Sequence, residues 1–101
     1  MMNTLSRVNG GDLTALTAAR SIDQERARQD EMWGVQNHPP EWWLVILMEE
    51  VGELAQAIVE THFDNGSDLG GVANIRKEAV QCAAVAMAMI ECIDRTDKGS
   101  T

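Results

Sequence analysis

Apolar residues recur with helical spacing in three segments of the chain, and no segment alternates apolar and polar residues as a strand would. The first predicted helix begins at a cap supplied by Asp12 or Thr14 and runs to about Trp33, where Gly34 ends it. The remaining pattern predicts two more helices, over about 41–62 and from 72–75 to about 94. The chain is therefore predicted to be all-α.

The third predicted helix is apolar on nearly every face, since each residue from 79 to 90 except Gln81 is apolar. Such a helix is usually buried on all sides, and three helices from 101 residues are too few to surround one of their own number. We therefore expect a small helical bundle completed by homo-oligomerisation, with a four-helix-bundle-like core in a homodimer or homotetramer. The predicted organisation is a flexible N-terminal arm, a helical domain and a flexible tail, over 1–12, 13–95 and 96–101.

The composition of the chain limits the classes of partner that it is expected to bind. A net charge of −8 with only 8 lysines and arginines disfavours a nucleic acid polymer or an anionic membrane surface. No apolar run is long enough to span a membrane and no signal peptide is visible, so a cytoplasmic location is expected. Cys82 and Cys92 would lie about 15 Å apart along one helix, too far for a disulfide, and are expected to be buried free thiols.

Acidic side chains interrupt the two apolar helices. Glu49, Glu50 and Glu53 fall on one side of the second helix, and Glu78 and Gln81 share a face of the third. Carboxylates on buried helices are costly unless a positive charge lies between them. Facing each other, these residues would form a cage of oxygen ligands that suits Mg²⁺, or Mn²⁺ as a substitute.

Two other interpretations of the glutamates are less favoured. They would line a solvated groove or pair with Arg26, Arg76 and Lys77, or they would hold two iron ions. A di-iron site needs Glu-x-x-His, which does not occur in the chain. The polar second half of the first helix, residues 23–31, is either a solvated surface or the wall of a polar site, and patterning favours the solvated surface.

The acidic pattern resembles that of the MazG-like all-α nucleoside triphosphate pyrophosphatases, a family with Glu-Glu-x-x-Glu followed by Glu-x-x-Asp. The chain has Glu-Glu-x-x-Glu at 49–53 and Glu-x-x-Gln at 78–81, and the segments 28–38 and 80–90 resemble a small single-domain subgroup. The resemblance covers roughly residues 25–95.

The resemblance implies hydrolysis of a nucleoside triphosphate to a monophosphate and pyrophosphate, in clearing unwanted nucleotides from the nucleotide pool. It implies catalytic roles for Glu49, Glu50, Glu53 and Glu78, and a metal held by Glu50, Glu53, Glu78 and Gln81. Gln81 stands where the family has an aspartate, so its amide brings no charge to the metal. That departure favours the alternative function, a non-catalytic helical dimer that senses a nucleotide or docks a partner.

Four further residues are predicted to bind substrate. Trp33 offers a stacking face for the base, and Asn37 and His38 offer hydrogen bonds to its edge. Lys77, beside Arg76, would meet a phosphate. Each of these residues also has an ordinary structural interpretation. Trp33 would pack in the core, Asn37 and His38 would form a turn before the prolines, and Lys77 would lie on the helix surface.

Overall fold

The computed structural model describes residues 13–63 and 71–97. This part of the chain forms three helices and no strand: α1 (Leu13–Trp33), α2 (Pro40–Phe63) and α3 (Gly71–Thr96). The all-α prediction is confirmed, with helix ends within about two residues of those predicted. The predicted arm and residues 64–70, between the second and third helices, lie outside the described residues. So does most of the predicted tail, although Thr96 still belongs to α3.

The predicted end of α1 at Gly34 is also confirmed. Gly34 adopts a φ of 74°, a left-handed conformation that glycine tolerates best, and its N–H donates to the carbonyl of Asp30. Pro40 then opens α2, and the carbonyl of Pro39 accepts from the N–H groups of its first turn. Thr14 lies inside the first turn of α1 and is not its cap.

The third helix lies between the other two. In the described part of the chain α1 and α2 each pack against α3 but do not contact each other. The buried core joins α2 to α3 through Trp43, Val85, Ala88 and Cys92, with partly buried Ile46, Leu47 and Met89 packed around it. A gap is therefore left between α1 and α2, over the surface of α3.

The prediction that the third helix is buried on all sides is wrong for the single chain. Ile90 and Ile93 of α3 are exposed, and six of the eleven apolar residues from 79 to 90 are only partly buried, because α1 and α2 cover only part of its circumference. At Gly52 of α2 open space surrounds the position of an added Cβ, so no other helix of the described chain approaches closely there.

The larger exposed apolar surface belongs to α2. On one side of this helix, exposed residues recur at alternating intervals of four and three: Leu44, Met48, Val51, Ala55 and Ile58. This spacing is that of a coiled-coil seam, and we call these five residues the α2 seam. Of the helices described, none is sufficiently long and apolar to cross a membrane.

Candidate metal centre and adjoining cavities

Three of the predicted glutamates converge. Glu50 and Glu53 project from α2 and Glu78 from α3, and one carboxylate oxygen from each lies within 4.8 Å of the others. Glu50 and Glu53 lie three residues apart on one helix face, and the packing of α2 on α3 brings Glu78 opposite them. We call these three side chains the acidic cluster.

The acidic cluster contains buried oxygens with no hydrogen-bond partner. Oε2 of Glu50 and Oε2 of Glu78 are both inaccessible to solvent and accept no hydrogen bond. A buried acceptor without a donor costs free energy, about 1–3 kcal/mol and more for a charged group. These oxygens therefore fit a bound cation, which would satisfy both at once.

The charges of the cluster are not neutralised by basic side chains. The ion pairs formed among the described residues are Arg26 with Asp30 and Glu91, and Arg28 with Glu25. Burial raises the pKa of Glu50, and the neighbouring charges of Glu53 and Glu78 raise it further. The alternative pairing with Arg26, Arg76 or Lys77 is not found there.

Glu49 and Gln81 lie beside the acidic cluster. Glu49 is exposed, and Gln81, one turn along α3 from Glu78, is half-buried. Both line a cavity next to the cluster. Cys82 is close enough that burial, and then the charges of the three cluster glutamates, raise the pKa of its thiol. Both cysteines are free, as predicted.

One cavity fills the gap between α1 and α2 over the surface of α3, with a volume of about 430 Å³. We call it the main cavity. Its apolar side is formed by Trp33, Trp43 and aliphatic residues, and its polar side by the second half of α1 and by α2 carboxylates, namely Glu25, Arg26, Arg28, Gln29, Asp30, Glu49 and Glu50. The cavity thus combines an aromatic surface with a polar wall next to the acidic cluster, as ligand sites commonly do.

The polar wall is fixed by Arg26, which is only 7% exposed. Its guanidinium donates to Glu91 on α3 at 2.6 and 3.1 Å and to Asp30 and Gln29 on its own helix at 3.0 and 3.1 Å. Burial disfavours the charged guanidinium, but these acceptors outweigh it and raise the pKa of Arg26. The favoured interpretation of residues 23–31 as a solvated surface is therefore wrong for their inner side, which is the wall of a polar site.

A second, more open cleft of about 600 Å³ lies farther along the α1–α3 groove. We call it the basic cleft, because Arg28, Arg76 and Lys77 line it together with Ser21, Gln24, Glu25, Val80 and Gln81. Glu25, Arg28 and Gln81 also line the main cavity, so the two spaces adjoin.

The structure separates the four predicted substrate-binding residues. Trp33 lines the main cavity, is 56% exposed, and has the Arg28 guanidinium carbon 6.0 Å from its ring centroid. Lys77 lines the basic cleft. Asn37 and His38 line neither space.

Asn37 and His38 instead fasten the connector to its neighbours. Arg95 of α3 donates to Oδ1 of Asn37 at 2.9 and 3.2 Å, and the thiol of Cys92 donates to the carbonyl of His38. The His38 ring meets the Trp43 ring edge-on, with centroids 5.0 Å apart. These contacts support the alternative that Asn37 and His38 are turn residues before the prolines.

Glu25, Arg28, Gln29 and Asp30 were not singled out in the sequence as site residues, although they line the main cavity. The available signal was composition: five of the six residues from 25 to 30 carry charged or amide side chains. Only the packing of α1 on α3 shows that one side of this stretch faces inward.

No protein-family model, curated protein or solved structure matches the chain. The function proposed below therefore depends on the chemistry of the acidic cluster and its two adjoining spaces.

Proposed function

We propose that the protein is a metal-dependent nucleoside triphosphate pyrophosphohydrolase, which converts a ribo- or deoxyribonucleoside triphosphate to its monophosphate and pyrophosphate. The observation that carries the proposal is the acidic cluster, with its two buried unpartnered oxygens, at the edge of a cavity large enough for a nucleoside. The resemblance of the Glu-Glu-x-x-Glu and Glu-x-x-Gln pattern to the MazG-like pyrophosphatases supports the same function. The cellular role would be the removal of unwanted nucleotides.

Glu50, Glu53 and Glu78 would hold Mg²⁺, with Mn²⁺ as a substitute, because hard oxygen donors suit these ions. The amide oxygen of Gln81 would be a further, uncharged ligand. A divalent ion here supplies charge neutralisation of the triphosphate and polarisation of its phosphorus–oxygen bonds.

Glu49 is the carboxylate next to the cluster that remains exposed, and it faces the main cavity. We assign it the orientation of the attacking water. The water oxygen forms a bond to the α-phosphorus, the bond from that phosphorus to the oxygen bridging the β-phosphate breaks, and the water proton passes to a carboxylate such as Glu49. Pyrophosphate leaves with the electrons of the broken bond.

The main cavity would hold the nucleoside. Trp33 offers an exposed aromatic face, and the adjacent polar wall offers hydrogen-bond donors and acceptors to a base edge. Lys77 would meet a phosphate from the neighbouring cleft. Asn37 and His38, which are engaged in holding the connector, have no direct contact with the base in this proposal.

A second copy of the chain would cover the α2 seam. Four of its large side chains are 38–58% exposed, and a continuous apolar stripe of this kind is unusual on a monomer. Pairing of two seams would add α2 and α3 of one copy to those of another and complete a four-helix core. The proposed assembly is therefore a homodimer or homotetramer.

The proposed activity is tested by pyrophosphate release from each common ribo- and deoxyribonucleoside triphosphate with Mg²⁺ or Mn²⁺. Release should occur with the unaltered protein and fall at least about 100-fold in Glu53→Gln, since a metal ligand contributes several kcal/mol to the transition state. Glu60→Gln is the matched control, because it removes one exposed carboxylate from the same helix outside the cluster.

Nucleotide binding without pyrophosphate release would favour the alternative, a non-catalytic helical module that senses nucleotides or docks a partner. Pyrophosphate release that is equally low in Glu53→Gln and Glu60→Gln would show that the acidic cluster has no specific role in the reaction. Neither binding nor release with any nucleotide and either ion would refute both the enzyme and the nucleotide sensor, and would leave the partner-docking module.

A further inference from the structure

The basic cleft concentrates positive charge in an acidic protein. The chain has 8 lysines and arginines and a net charge of −8, yet Arg28, Arg76 and Lys77 all line this one cleft. Arg28 comes from α1 and the other two from α3, so the packing of the two helices brings the charges together. A local excess of cations on a negative molecule points to an anionic ligand.

Two of these cations are not neutralised. Among the described residues Lys77 forms no ion pair, and the Arg76 guanidinium donates to a neutral group, the Ser21 hydroxyl, at 2.8 Å. That hydroxyl donates in turn to the Thr17 carbonyl, so its lone pairs face Arg76 and fix the guanidinium over the cleft. Both cations therefore remain available to an anion.

The third cation is balanced by the one carboxylate in the cleft. Arg28 donates to both oxygens of Glu25, at 2.8 and 2.6 Å, which lowers the pKa of Glu25. The Arg28–Glu25 pair is thus close to neutral. The net charge of the cleft is carried by Arg76 and Lys77.

The cleft continues from the proposed reaction site. It shares Glu25, Arg28 and Gln81 with the main cavity, and the main cavity reaches Glu49 and Glu50. One groove therefore runs along α1 and α3, from the Trp33 face, past Glu50 of the acidic cluster, to Arg76 and Lys77. A chain of phosphates attached to a nucleoside has the same order of apolar and anionic parts.

We propose that the basic cleft receives the two terminal phosphates of the substrate and holds the pyrophosphate product, with Arg76 and Lys77 as its ligands. This inference rests on the proposed function, and it fixes the substrate's direction: nucleoside at Trp33 and leaving group at Lys77. It also sets the substrate class. A nucleoside diphosphate presents one phosphate beyond the α-phosphate and is a poorer substrate than the triphosphate.

The first test measures pyrophosphate binding to the metal-free protein by calorimetry. We expect binding that weakens about 10-fold in Lys77→Gln and again in Arg76→Gln, since each removes a charge-assisted hydrogen bond. Arg20→Gln is the matched control, because it removes one exposed positive charge from α1 and lines neither space. Absence of pyrophosphate binding, or equal weakening in Arg20→Gln, would overturn the inference.

The second test is kinetic and separates this inference from the proposed function. Lys77→Gln should raise the KM for triphosphate and the inhibition constant of pyrophosphate by about 10-fold each, and narrow the preference for triphosphate over diphosphate. If triphosphate is hydrolysed and Lys77→Gln changes none of these quantities, the inference fails while the proposed function stands. If pyrophosphate binds in the cleft but no nucleotide is hydrolysed, the proposed function fails while the anion site stands.

Discussion

At the scale of single residues, Glu50 is the carboxylate of the site whose charged form is disfavoured both by burial and by neighbouring carboxylates. It lies on the inward side of α2 with one oxygen inaccessible to solvent, and four other carboxylates, Glu53, Glu78, Glu25 and Glu49, raise its pKa in addition to burial. A folded-state pKa above the ordinary value of 4.5 means that the folded protein binds a proton more tightly than the unfolded chain. Ionised Glu50 therefore destabilises the metal-free fold.

The stability of the metal-free protein should therefore depend on pH through Glu50. Below the ordinary carboxyl pKa the penalty is absent, because Glu50 is protonated in both states. As the pH rises from that value through the raised pKa of Glu50, the free energy of unfolding of the metal-free protein should fall. The stabilisation produced by added Mg²⁺ or Mn²⁺ should grow over the same range, because the ion competes with the proton.

Substitution of Glu50 by glutamine isolates this contribution. In thermal melts with a chelator between pH 4 and 8, Glu50→Gln should abolish most of the fall in stability and melt higher than the unaltered protein at pH 7. It should also lose the metal-induced rise in melting temperature. Glu60→Gln, outside the cluster, should change neither. A Glu50→Gln protein that is less stable at pH 7 in chelator would contradict the account.

At the scale of helices, α1 is attached to the rest of the molecule by a small contact. Ala15 is its buried apolar residue, while Leu16, Ala19 and Ile22 are only half-buried. The buried Arg26 adds a polar link to Glu91 on α3. Because α1 forms the wall of both spaces, this link positions the proposed binding groove.

We expect Glu91→Ala to lower the free energy of unfolding by about 1.5–3 kcal/mol, the usual contribution of a hydrogen bond to a charged group. Arg26 would keep Asp30 but lose its partner on α3. Hydrogen exchange should increase mainly in α1. Asp94→Ala, which removes an exposed carboxylate from the same helix, is the control, and an equal effect of the two substitutions would argue against the link.

At the scale of the whole molecule, the single chain leaves the α2 seam uncovered. The side of α2 that packs on α3 contains Trp43 and Ala57, and the seam lies on a different, exposed side of the same helix. A helix with two apolar sides requires two partners, and the described chain supplies one of them.

Met48→Glu should therefore shift the protein from an oligomer to a monomer, because it places a charge in the middle of the proposed interface. Light scattering coupled to size-exclusion chromatography measures the change. Gln56→Glu adds the same charge to α2 outside the seam and should leave the oligomer intact. A protein that is monomeric before any substitution would refute the proposed assembly.

The sequence predicted the helices well, because caps, prolines and glycines act locally. Gly34 and Pro40 are read correctly from the chain alone, since the backbone preferences of these residues hold in almost any surroundings. The shared face of Glu50 and Glu53 was also predicted, because residues three or four apart on a helix share a face whatever packs against them, whereas their approach to Glu78 depends on the packing of α2 on α3. The seam could have been read in the same way from its alternating intervals of four and three.

The sequence by itself determined where the helices lie and which carboxylates share a helix face, since both follow from the period of the backbone. Only the tertiary structure decided what each face meets. It turned one side of the polar half of α1 inward, buried Arg26 against Glu91, and engaged Asn37 with Arg95 instead of leaving it free for a ligand. Those outcomes depend on contacts between residues more than fifty positions apart, for which helical periodicity carries no information.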